Sequence, residues 1–114
     1  TLVEYNFSFI LNIKKQMSYL LTSEKSEKLL KNLSSKWSIS DKYLKCMYKF
    51  KDFNNAIEFI NQLASKCNEM NHHPKLINIY DTIEIELYTH DKNGLTTKDF
   101  ELSNYMDKIY EKLT

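Results

Sequence analysis

Apolar and polar residues alternate at the start of the chain, with Val3, Tyr5, Phe7 and Phe9 separated by Glu4, Asn6 and Ser8, the period of a half-buried strand. The period then changes. Thr22 and Ser23 precede Glu24 and a run in which Leu29, Leu30 and Leu33 recur at helical spacing, predicting a capped helix over about 23–33. Alternation returns over 37–50: after a Ser-Asp turn, Leu44, Cys46, Tyr48 and Phe50 are set against Lys45, Met47 and Lys49, a β-hairpin pattern. Asp52 can cap the next helix, in which Phe53, Ala56, Ile57, Ile60, Ala64 and Cys67 form a stripe expected to face the core, with Phe59, Leu63 and Met70 on its flank. That helix must end before Pro74, because the residue before a proline is pushed out of the α region. Segments 76–80 and 83–89 read as a second hairpin turning at Asp81-Thr82, and Asn93-Gly94 supplies another turn. Thr96 and Asp99 then resemble a capping box for a last helix with Leu102, Met106, Ile109 and Leu113 as its core stripe.

The expected fold is α+β: a four-stranded antiparallel sheet with three helices packed on one face, in the order α-β-β-α-β-β-α. Residues 1–20 form an N-terminal extension carrying an extra strand, and 21–114 form the domain. A chain of 114 residues with 42% hydrophobic content has material for one core and too little for two. Its 16 lysines nearly cancel 15 acidic residues, so no strong field marks a nucleic-acid or membrane-surface binder. Cys46 and Cys67 match no CxxC spacing and read as reduced, buried thiols, which favours a cytoplasmic location, with the nucleus as an alternative. The apolar patches before residue 21 are interrupted by Asn12, Lys14, Lys15 and Gln16, too soon for a membrane span.

Candidate chemistry gathers in one segment, "NEMNHHPKLINIYDTIEIELYTHD", which holds all three histidines. His72 and His73 leave a helix end, and His90 follows the last strand. Histidine, with an unperturbed pKa of about 6.5, can give or take a proton near neutrality, so two or three on one rim suit a general-acid, general-base step. Other readings stay open on spacing alone. Either member of the pair can be a helix C-terminal cap favoured by the macrodipole. The three histidines with Glu69 or Asp91 can be metal ligands, although no HExxH-like spacing supports this. Asp99 can be a helix cap and nothing more. A chain with one glycine builds no phosphate-cradling glycine loop, and GxSxG is absent. The lysines of "KYLKCMYKFK" alternate with its apolar residues, which indicates a solvated sheet face in preference to a single-strand nucleic-acid platform.

The elements "NHHP", "INIYDTIEIELYTHD", "GL" and an Asp opening the last helix, together with Trp37 and "FKDFNNAIEFI", resemble pterin-4a-carbinolamine dehydratase from about Leu21 to the C-terminus. The resemblance implies loss of water from 4a-hydroxytetrahydropterin to give quinonoid dihydropterin, without metal or organic cofactor, in tetrahydrobiopterin recycling. It implies His72 and His90 as the acid/base pair and His73 as a third catalytic-site histidine that helps hold the pterin. Asn71, Pro74, Tyr88, Thr89, Asp91, Asp99 and Trp37 match substrate-site positions. It further implies dimers with continued sheets and tetramers through the helix over 52–70. A coactivator-like dimerisation module and a pterin enzyme of folate-related metabolism are the alternatives. Two departures stand out. Asn68 replaces an acidic position four residues before the first His, and Asn71 replaces an Asp, removing carboxylates that would raise a histidine pKa and implying a lower pH optimum.

Overall fold

The computed structural model describes residues 19–114, so the strand expected at 3–9 lies outside the described residues. Helix α1 (Ser23–Leu30) begins where Thr22 accepts the Lys25 N–H at 3.2 Å. It ends earlier than the leucine spacing predicts, for a local reason. Asn32 and Leu33 tighten to hydrogen bonds on the third preceding carbonyl, and the Ser34 N–H goes to the Asp107 carboxylate at 2.9 Å.

Strands β1 (Trp37–Ser40) and β2 (Tyr43–Lys49) form the first hairpin, with Asp41 in the left-handed region at φ 57°. Helix α2 (Phe53–Met70) is capped by Asp52, which accepts the Asn55 N–H at 2.8 Å. Strands β3 (Lys75–Ile79) and β4 (Thr82–Leu87) follow, and helix α3 (Thr97–Leu113) closes the chain. The antiparallel sheet has the order β1-β2-β4-β3, and the element order is the α-β-β-α-β-β-α expected. Leu44, Cys46 and Tyr48 pair with Leu87, Ile85 and Ile83, and all six are buried in the core with Phe59, Leu63, Leu102 and Met106. Lys45, Met47, Lys49 and Glu84, one residue out of phase, occupy the opposite face, as the period of 2 requires.

Polar groups also sit deep in this core. Asp107 accepts from the Ser34 N–H and hydroxyl, the Trp37 indole at 2.9 Å and the Tyr48 phenol at 2.7 Å, so it fastens α3 to the sheet and to the exit of α1. Burial pushes the Cys46 thiol up to about 12 and raises the Tyr48 phenol well above its usual range.

Three local expectations are corrected. The face of α2 turned to the core is Ala56, Phe59, Leu63 and Cys67. Phe53 is 47% exposed and Ala64 is exposed, whereas Phe59 and Leu63 are 0% and 2% exposed, so these two are core residues and not a flank. The second hairpin turns at Tyr80 and Asp81, one residue early, because Tyr80 takes φ 51° and the Asn78 amide donates to the carbonyls of Tyr80 and Thr82 across the turn. In "NG" the left-handed residue is Asn93, at φ 53°. Gly94 instead allows close approach: a Cβ there would lie 2.5 Å from Leu20 Cδ1, so Leu20 would have to move.

Candidate active site

The C-terminus of α2 aims the histidine pair. Asn71 adopts the left-handed conformation at φ 50°, which Asn tolerates, and the His72 N–H reaches back to the Cys67 carbonyl at 3.0 Å. This turn separates the pair: His72 is buried and His73 is exposed. Pro74, half-buried, forbids continuation of the helix.

His72 Nε2 lies 2.6 Å from Asp99 Oδ1. Asp99, with no exposure at all, also accepts the Thr89 hydroxyl at 2.7 Å and the Thr96 N–H at 2.9 Å, both through Oδ2. One carboxylate therefore completes the capping box of α3 and holds an imidazole. A carboxylate only accepts, so Nε2 carries the proton and Nδ1 is the atom of the neutral ring left to accept one. The Thr89 proton is committed to Asp99, so in the 2.8 Å contact between hydroxyls Thr96 donates to Thr89.

Through Thr89 the same carboxylate fixes the base of the loop carrying His90. Thr89 and Gly94 form a β-bridge, and His90–Lys92 is a short 3-10 turn between them. Among the described residues neither ring nitrogen of His90 has a hydrogen-bond partner; its ring lies T-shaped on Tyr88 with centroids 4.5 Å apart. His73 Nε2 is 3.0 Å from Asn68 Oδ1, so the amide at position 68 still meets a histidine, without a charge.

The remaining candidates divide. Thr89, Asp99 and His72 meet directly, while Tyr88 and His90 are joined to them through the chain at Thr89. Asp91 is exposed in the 3-10 turn, and its side chain makes no hydrogen bond among the described residues. Trp37 is held elsewhere, against Tyr48 with its indole on Asp107, eight residues and about 12 Å along α3 from Asp99. Three participants escaped the sequence: Thr96, read only as a cap, and Lys42 and Asn93, whose side chains meet at 2.9 Å beside Tyr88. Thr96 carried a capping-box signal and Asn93 an Asn-Gly turn signal, whereas Lys42 carried none. Among the described residues no three His, Cys, Asp or Glu side chains are grouped to hold a metal ion, and no helix is long and apolar enough to cross a membrane.

A histidine backed by a buried carboxylate, which is joined through Thr89 to a loop carrying a second imidazole, marks the candidate site on this α+β scaffold. The comparisons specify it further. The family model described as pterin 4 alpha carbinolamine dehydratase matches residues 19–109. A protein of Burkholderia pseudomallei (strain 1710b) is 36% identical over 94 residues, covering 82% of this chain and 93% of the relative. One of Paraburkholderia xenovorans (strain LB400) is 47% identical over 62 residues, 54% of this chain and 65% of the relative. Both are provisionally named pterin-4-alpha-carbinolamine dehydratase. The crystal structure of a transcriptional coactivator/pterin dehydratase from Brucella melitensis superposes with a TM-score of 0.77 at 31% identity, covering 80% of this chain and 98% of that one. The chain belongs to the pterin-4a-carbinolamine dehydratase family.

Proposed function

We propose that this protein dehydrates 4a-hydroxytetrahydropterin to quinonoid dihydropterin in tetrahydrobiopterin recycling, using its histidines as acid and base. The observation that carries the reading is the buried Asp99 carboxylate, which bonds to His72 and, through Thr89, to the loop of His90. In the elimination the C4a–O bond breaks, the leaving hydroxyl gains a proton and N5 loses one, forming the C4a=N5 double bond. Both events are proton transfers, which two imidazoles can perform unaided. His72 suits the base: protonating Nδ1 turns its hydrogen bond to the Asp99 carboxylate into an imidazolium–carboxylate ion pair. His90, with both ring nitrogens open to a ligand among the described residues, suits the acid. His73, Asn71, Pro74, Tyr88 and Asp91 are assigned to the pterin's surroundings, and Trp37 to the core.

The test is a stopped-flow assay of carbinolamine dehydration with wild type, His72→Ala and His90→Ala. Wild type should exceed the spontaneous rate, and each variant should lose about 10²- to 10⁴-fold in kcat. A wild-type rate equal to the spontaneous one would favour instead the coactivator reading, the other role in the name of the Brucella melitensis neighbour.

We also propose self-association through α2 and the β3 edge. With Phe59 and Leu63 in the core, Phe53 and Ile57 are the apolar groups of α2 available to a partner. On β3, an edge strand, Ile77 and Ile79 are 41% and 68% exposed.

A further inference from the structure

We infer that Lys42, Asn93 and Tyr88 form a clamp that sets the orientation of the His90 imidazole, making Lys42 and Asn93 positioning residues for the proposed dehydration. The inference rests on His90 being one of the proton-transferring groups.

The backbone of His90 is fixed without the clamp. Thr89 and Gly94 exchange hydrogen bonds at 3.0 and 3.4 Å, and the Asn93 N–H donates to the His90 carbonyl at 3.1 Å. The ring is not fixed this way. It is exposed and, among the described residues, has no hydrogen bond, so it would move among staggered rotamers but for its edge-to-face contact with Tyr88 at 75° and 4.5 Å.

Tyr88 can direct His90 only if it is held itself, and three contacts hold it. Its hydroxyl donates to Asn93 Oδ1 at 3.0 Å, Tyr43 packs on it at 5.2 Å between centroids, and Lys42 Nζ lies 5.3 Å from its ring centre. Lys42 also donates to the same Asn93 oxygen at 2.9 Å, so one amide oxygen ties the β1–β2 turn to the tyrosine. Asn93 is set in turn by its left-handed backbone and its bond to the His90 carbonyl. A closed path therefore runs from the first hairpin turn through Asn93 and Tyr88 to the imidazole. Its members are half-buried or exposed, so the path governs ring orientation more than folding.

The test combines kinetics with proton NMR of the imidazoles in Lys42→Ala and Asn93→Gly; the control is Lys36→Ala, an exposed lysine before β1 whose ammonium lies over the Tyr110 ring. Glycine at 93 keeps the left-handed backbone free of strain. Tyr88 should impose a ring-current shift on the His90 protons in wild type. Both clamp variants should move those signals toward their positions in a short peptide and lower kcat about tenfold, with melting temperature unchanged. Lys36→Ala should alter neither. Unmoved His90 signals in both variants would overturn the clamp, as would moved signals with unchanged kcat. If wild type shows no dehydratase activity, the proposed function fails and the NMR signals alone decide whether the clamp exists.

Discussion

Asp99 binds His72 through one oxygen and caps α3 through the other, so its replacement separates two effects. In Asp99→Asn an amide can accept at one atom only and presents a donor at the other, facing either His72 or Thr89 with the wrong partner. We expect kcat to fall about a hundredfold or more, as when the orienting carboxylate of a catalytic histidine is lost, with a smaller loss of thermal stability. Equal rates for wild type and Asp99→Asn would remove the carboxylate from the mechanism. Asp107 has the opposite profile, serving the fold alone. Asp107→Ala strands two buried donors, on Trp37 and Tyr48, at about 1–3 kcal/mol each, so urea unfolding should register a loss of about 2 to 6 kcal/mol. The two aspartates lie eight residues apart on one helix, and the sequence singles out Asp99 alone, through its capping box with Thr96. The residues opposite them differ: His72 and Thr89 face Asp99, whereas Trp37 and Tyr48 face Asp107.

At the scale of the element, α2 carries two overlapping apolar stripes, and the sequence alone does not say which one turns inward. Both contain Ala56 and Cys67; they differ in Phe53, Ile57, Ile60 and Ala64 against Phe59 and Leu63. The choice is made by the sheet, since Phe59 packs against Tyr48 and Phe50 at 5.1 and 5.2 Å between ring centres. Phe59→Ala should therefore cost about 3–5 kcal/mol in chemical denaturation. Leu63→Asp buries a charge and should unfold the chain instead of splitting an assembly. Ile57→Asp is the sound probe of association through α2: light scattering should give a lower mass with an unchanged melting transition. A mass equal to that of wild type would exclude this face. Ile79→Lys tests the β3 edge in the same way.

At the scale of the whole molecule, the buried thiol of Cys46 and phenol of Tyr48 make stability depend on alkaline pH. Both have folded pKa values raised above their ordinary ones, chiefly by burial. Their contribution is complete below the ordinary values and is lost as pH rises, because the unfolded chain releases protons that the folded one retains. For Cys46 the window runs from 9.0 to about 12. The urea midpoint should fall between pH 8 and pH 10.5, and Cys46→Ala should flatten the fall. A midpoint independent of pH over this range would contradict the burial of these groups.

The sequence by itself determined the element order, the caps at Thr22, Asp52 and Thr96, the end of α2 before Pro74 and the inward face of β2 and β4. Each is a short-range matter of capping chemistry, proline sterics or a period of two. It also placed the histidines at a helix end and beyond a strand. Tertiary structure decided the phase of α2, the early end of α1 and the fate of each polar residue. His72 turns inward while His73 turns out, Asp99 joins His72 to the loop of His90, Trp37 goes to Asp107, and Lys42 reaches Asn93 across 51 residues of chain. These contacts depend on which surfaces meet across the sheet and around its end. No local pattern encodes that meeting, because a side chain's partner is chosen only when the elements have packed.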